Sequence, residues 1–312
     1  MKSNKYEIDM CNGSIMDKLV SFALPLMLSG ILQLMFNAVD IIVVGRFSGS
    51  EALAAVGSTT ALINVFTNLF IGISLGANVL AARFFAAGRK EEMSETVHTS
   101  ITLALISGIL MAFVGLVFSK GALELMGTPE DVIGLSTLYM RIYFMGMPFF
   151  MLYNYGAAIL RAVGDTKRPL YFLIIAGVIN AGLNMVLVIV FGLGVAGVGI
   201  ATVFSQMVSC VLVLTCLCRT EGSYKLSFSK LSMKGYYLKQ IFQVGIPAGI
   251  QSTVINFSNA LLQSSVNSFG STAMAGYTAA NNILGFLYVS INSVTQACMS
   301  FTSQNFGVGK YK

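Results

Sequence analysis

Charge is what this 312-residue chain has least of. Charged side chains make up 10% of it, where soluble domains carry about 25%. There is one histidine, His98, and the five cysteines lie scattered at positions 11, 210, 216, 218 and 298. That set offers neither a disulfide framework nor zinc spacing, and Cys216 and Cys218 are one residue too close for a CxxC pair. The cysteines read as small apolar residues. The chain also lacks a Walker motif and any nucleophile–base arrangement, so active transport would draw on an ion gradient. No cleavable signal peptide is visible: the first 18 residues are of mixed charge and the first apolar run is too long for a signal core.

Apolar sequence fills the space instead. Hydrophobic residues are 55% of the chain. Runs long enough to cross about 30 Å of hydrocarbon recur eight times. They fall at roughly 19–45, 53–82, 97–119, 132–160, 170–191, 196–218, 241–266 and 274–303. The expected fold class is therefore an all-α integral membrane protein.

Basic residues orient it. With the amino terminus inside, the inner segments hold sixteen of the nineteen Lys and Arg residues, and the outer side keeps Arg46, Lys120 and Arg141. The formal charge of +6 thus reports topology and contact with anionic lipid, not nucleic-acid binding. The expected location is the cell membrane, multi-pass, with a cytoplasmic amino terminus.

Laid on itself at an offset of 222, the chain pairs Pro25 with Pro247, Asn37 with Asn259 and Phe47 with Phe269. One residue of slippage then pairs Phe85 with Phe306, Gly88 with Gly309 and Arg89 with Lys310. Both segments start inside, carry a proline early in a helix and return through a small-residue span, as transporter repeats do. The expected organisation is a tail (1–18), a first lobe of six spans (19–218), a basic inter-lobe loop (219–240) and two spans of a second lobe (241–312). Two complete copies would need about 444 residues, so a carboxy-terminally truncated chain is expected.

Asp40 is the one acid of thirteen inside a long apolar run. An ionisable group on a spanning helix is by default a functional site with a partner; the bland alternative is an Asp near a helix end that reaches the interface. Ser29, Gln33 and Asn37 precede it at helical spacing, in line with Pro25, which permits a kink. Facing the bundle interior, these four would line a substrate cavity. Interhelical hydrogen bonding is the competing role for Ser29, Gln33 and Asn37.

Asn180 and Asn184, at i and i+4 in the fifth span, offer two carboxamide oxygens to a hard cation if a carboxylate helps. Amide bonding from helix to helix is the neutral alternative. Thr202 in the sixth span could add a hydroxyl oxygen, or bond its own helix backbone. Asp40, Asn180, Asn184 and Thr202 form the expected cation site, with sodium the one metal ion considered and H+ or Na+ as the coupling ion. At the repeat offset Asp40 falls on Leu262, and no acid follows Lys225. Such a site belongs to the first lobe only.

Several motifs carry less. Gly192, Gly194 and Gly197 fit GxGxxG, but they join two membrane spans rather than a strand and a helix and no acid follows about 20 residues later, which argues against a nucleotide fold; a tight outer turn is expected. The Gly72–Gly76 and Gly245–Gly249 pairs fit helix-packing spacing, an unspecific signal. Seventeen methionines and 22 phenylalanines suit either an adaptable cavity or ordinary packing.

The stretch Arg161-Ala-Val-Gly-Asp165-Thr-Lys-Arg-Pro169 closely resembles the RAxGDxKxP-type signature of the multidrug and toxic compound extrusion (MATE) transporters. Support comes from the first-helix proline and Asp40, residues 44–57 (VGRFSGSEALAAVG) and residues 194–206 (GVAGVGIATVFSQ). The resemblance covers the whole chain. It implies a two-lobe bundle of twelve helices, about eight of them present, around a central cavity. It also implies export of cationic, amphipathic drugs against inward protons or sodium ions, with Asp40, Asn180, Asn184 and Thr202 at the family's first-lobe ion positions. No cofactor is implied, the partners are small organic cations and the bilayer, and a monomer is expected. Some sodium-coupled members carry an acid on the seventh helix; residues 249–259 have none. Two other readings stand beside it. A lipid-linked-precursor flippase needs cationic residues in its cavity, for which Arg141 is the only candidate. The last is an inactive membrane fragment.

Overall fold

Hydrocarbon offers no water to backbone N–H and C=O groups, so apolar runs of this length must close their hydrogen bonds within helices. The computed structural model, which describes residues 6–267 and 271–310, shows that outcome. The described residues form nine α-helices and no strand. They are α1 (Ile15–Phe47), α2 (Gly49–Ala86), α3 (Lys90–Leu125), α4 (Glu130–Met145), α5 (Met147–Ala162), α6 (Lys167–Asn184), α7 (Gly194–Arg219), α8 (Gly235–Asn267) and α9 (Ser271–Gly307). A π-helical stretch, Met185–Val190, continues α6. Phe269, the expected repeat partner of Phe47, lies outside the described residues.

Among the described residues, α1, α2, α3, α6 with its π continuation, and α7 are long and apolar enough to span a membrane. The expected fourth span is divided into α4 and α5, 16 residues each. Pro148 is the cause, because it has no N–H for the carbonyl four residues back. The chain re-enters a helix through Gly146, whose carbonyl accepts from the Phe149 and Phe150 N–H groups at 3.1 Å. The expected seventh and eighth spans are α8 and α9, 33 and 37 residues long and studded with amide and hydroxyl side chains.

Helix α5 is the structural centre. Its Met147, Met151, Tyr155, Ile159 and Leu160 are fully buried, packed between α2, α3 and α7. The outward faces of α1, α3 and α6 expose Ile42, Phe113, Phe118 and Val178, the side chains a lipid-facing surface requires.

Both helix-packing glycine pairs meet, and they meet each other. A Cβ on Gly72 would overlap Gly249 Cα, and one on Gly245 would stand 2.5 Å from Ile73 Cα. The pairs therefore interlock in antiparallel register and bring the α2 and α8 backbones together. Helix α9 packs against α1 and α2. The pair α8 and α9 is thus docked on α1 and α2.

Candidate functional site

Asp40 sits two turns before the end of α1, with 8% of its surface exposed. Facing it is α6. The Asn184 side-chain amide donates one hydrogen to Asp40 Oδ1 and another to Asn180 Oδ1, the latter at 3.1 Å. Asn180 and Asn184 are buried at 4% and 0% exposure. One amide NH2 has two hydrogens, and both are used, so the three side chains form a closed polar cluster in an apolar wall. The Asn184 Oδ1 atom is buried without a hydrogen-bond partner. Buried acceptors are normally paired; an unpaired carbonyl oxygen beside a carboxylate is a ready ligand for a proton donor or a hard cation.

Two local features place this cluster. Asn184 is the last α-helical residue before the π-helical stretch, whose wider turn is the kind of irregularity that collects at functional sites. One turn below, a Cβ on Gly177 would overlap the tip of the Phe36 ring. Phe36 and Asp40 are four residues apart on α1, and Gly177, Asn180 and Asn184 share a face of α6. The ring in its notch fixes the register that sets Asp40 opposite Asn184.

Thr202 on α7 adjoins the Asp40 carboxyl group, but its hydroxyl proton goes to the Val198 carbonyl of its own helix at 2.9 Å. Its oxygen can still accept. Of the expected cavity residues, Pro25 is buried and Ser29 is half-buried, its hydroxyl donating to the Pro25 carbonyl at 2.8 Å. Gln33 and Asn37 are exposed. The cluster unites Asp40, Asn180 and Asn184 and does not include Ser29, Gln33 or Asn37.

Helix α4 supplies what the sequence analysis missed. Tyr139 and Tyr143 lie within electrostatic range of Asp40, their rings 6.2 Å apart. Gln206 on α7 is beside Tyr143, its Oε1 buried and unpartnered and packed against the α4–α5 break at Gly146. The signal was available: two tyrosines at i and i+4, in a run that also holds a Gly-x-Pro break.

The signature loop is structural. Asp165 is fully buried; it ion-pairs with the Arg168 side chain and accepts from the Arg168 N–H at 3.1 Å, tying down the start of α6. Arg168 Nη1 also donates to Cys216 Sγ at 3.1 Å. Burial pushes the Asp165 carboxyl up from its ordinary value, while the bonds from Arg168 pull it back. The described residues contain no group of three or more His, Cys, Asp or Glu side chains placed to hold a metal ion.

The chain is similar to known proteins in sequence and fold. The chain is 34% identical over 299 residues to the "Probable multidrug resistance protein YoeA" of Bacillus subtilis (strain 168), covering 93% of this chain and 64% of that protein. It is 29% identical over 307 residues to a second such protein of the same organism, YpnP, covering 97% and 68%. A solved structure described as the outward-facing conformation of a multidrug resistance MATE family transporter superimposes with a TM-score of 0.91 at 25% identity, over 99% of this chain and 69% of that one. This chain thus spans somewhat under two thirds of the length of the first of these relatives. The MatE family model matches residues 25–186 and 247–312, the stretches that hold Asp40, Asn180 and both repeat prolines, and on that match the chain belongs to the MATE family of membrane transporters.

Proposed function

We propose that the protein exports cationic, amphipathic small molecules across the cell membrane in exchange for inward protons or sodium ions, with Asp40 as the coupling residue. One observation carries this reading: the only acid within an apolar span is buried against two asparagines and a threonine oxygen, with a spare amide oxygen beside it. A proton arriving there neutralises the carboxylate, and its new O–H can turn to Asn184 Oδ1 or Thr202 Oγ1. A sodium ion can instead gather oxygens from Asp40, Asn180, Asn184 and Thr202. Either event changes the charge of the α1–α6 contact by one unit. A ligand that binds one conformation better shifts the population toward it.

The multidrug names of the relatives support small organic molecules as substrates. The repeat supports residues 19–218 as one lobe and 241–312 as the start of another, with the amino terminus on the cytoplasmic side where basic residues concentrate. The test uses the full-length protein in vesicles, with drug efflux driven by imposed proton or sodium gradients applied separately. Asp40→Asn should abolish driven efflux at unchanged membrane expression. Efflux that survives the substitution removes Asp40 from the mechanism.

A further inference from the structure

The residues ahead of α1 lie across the end of the bundle that holds the signature loop, and they touch both repeats. On the first-repeat side, the Ile8 N–H donates to the Gly164 carbonyl at 3.3 Å, and Tyr224 Oη donates to Glu7 Oε1 at 2.7 Å. The Arg168 guanidinium stands over the Tyr6 ring, 5.5 Å from its centroid. Gly164 has φ +93°, and a Cβ there would come within 2.7 Å of the Ile8 nitrogen, so the seat of this segment admits glycine alone.

On the α9 side the contacts are as definite. Met10 is 2% exposed, clustered with Phe22 and Leu26 of α1 and with Ala297 and Phe301 of α9. Asn305 Nδ2 donates to the Met10 carbonyl at 3.1 Å. Lys310 Nζ donates to the Cys11 carbonyl at 2.7 Å and to Asn12 Oδ1 at 2.9 Å. Within seven residues the chain runs from the α5–α6 loop to the end of α9, bonded at each.

We propose that residues 6–12 are a latch that holds this end of the transporter shut, and that they must undock from α9 or from the α5–α6 loop before it opens. The inference rests on the reading of this protein as an alternating-access transporter. A segment this short cannot keep both sets of bonds while its two anchorages part. Each bond therefore adds to the bias for the closed arrangement, by roughly fivefold in population for a typical hydrogen bond.

The experiment has two arms, both in the full-length protein. In a background lacking other cysteines, Ser300→Cys, buried between α9 and α2, reports opening by its maleimide labelling rate. Tyr224→Phe should speed labelling roughly fivefold and Lys310→Ala, which removes two bonds, up to about 25-fold; rates unchanged in both overturn the proposal. In the second arm, Cys11 is tethered to Lys310→Cys by a short cleavable bifunctional maleimide. Transport should stop on tethering and return on cleavage, whereas full transport by the tethered protein overturns the latch. Failure of the transporter reading shows separately, as absence of driven efflux in the untethered protein, and the labelling arm does not depend on efflux.

Discussion

Ser300 on α9 donates its hydroxyl proton to Asn78 Oδ1 on α2 at 3.0 Å, and the two residues stand 222 positions apart. That separation is within one residue of both offsets, 222 and 221, at which identical residues recur along the chain. The bond ties α9 to α2 from within the core, where both residues are 2% exposed. Around it, α1 meets α9 and α2 meets α8.

Asn78 uses both ends of its amide, since Nδ2 also donates to the Ala158 carbonyl at 2.8 Å. Asn78→Ala strands that carbonyl and the Ser300 hydroxyl in the core, at a cost of about 1–3 kcal/mol. Ser300→Ala should cost less, about 0.6 kcal/mol, as one hydroxyl bond in a membrane bundle. Thermal unfolding in detergent reads both, and the reverse ranking would show that Asn78 does not anchor this contact.

The glycines of α2 separate tolerance from damage on one helix. Gly72→Ala drives a methyl group into the α8 backbone, and overpacking against rigid atoms costs about 1–3 kcal/mol. Gly57→Ala meets nothing within 4 Å, and a helical glycine replaced without strain gains about 0.4–1 kcal/mol. Opposite signs are expected in the same unfolding assay.

Asn184→Ala removes the donor that holds Asp40, a bond to a charged group worth about 1.5–3 kcal/mol. The same substitution removes Asn184 Oδ1, a candidate sodium ligand, so apparent sodium affinity should fall at least about tenfold. Thr202→Val should cost less, because the threonine proton already serves Val198. A larger loss from Thr202→Val in ion-binding isotherms would make threonine the principal ligand.

Gly177→Ala should act on the same isotherms without touching the ion. Its methyl group evicts the Phe36 ring from its notch and slides α1 along α6. A second substitution, Phe36→Leu, should restore much of the lost affinity, since contacting residues couple by about 0.5–3 kcal/mol. Strictly additive losses would show that the notch does not set the register.

Asp9 gives the latch a pH dependence. Its carboxyl is held below its ordinary value, first by the Asn12 side chain, then by the Cys11 N–H, with Lys18 adding to the effect. A carboxyl lowered in the folded state lends support above its unfolded value and loses it as pH falls through the lowered one. A spin label on Cys11 should therefore gain mobility below about pH 4, and Asp9→Asn should flatten the response. Mobility indifferent to acidification, and left unchanged by Asp9→Asn at neutral pH, would exclude Asp9 from docking.

Much of this protein was written in its chain. Apolar runs in a solvent without hydrogen-bonding partners can only become helices, so the spans followed from composition. Pro25 and Pro247 raised the expectation of a repeat, and Asp40 that of a site, because a lone carboxylate in hydrocarbon is costly. Asn180 and Asn184 announced themselves by sharing a helix face. What the tertiary structure decided was which oxygens are free. The spacing of Thr202 could not show its proton turned to its own backbone, nor that Gln33 and Asn37 stay outside the cluster. The π turn after Asn184 and the Phe36 notch arise where two helices press together, and linear periodicity is blind to that contact. The docking of residues 6–12 on α9 joins positions nearly the whole chain apart, and only the folded bundle brings them within hydrogen-bond reach.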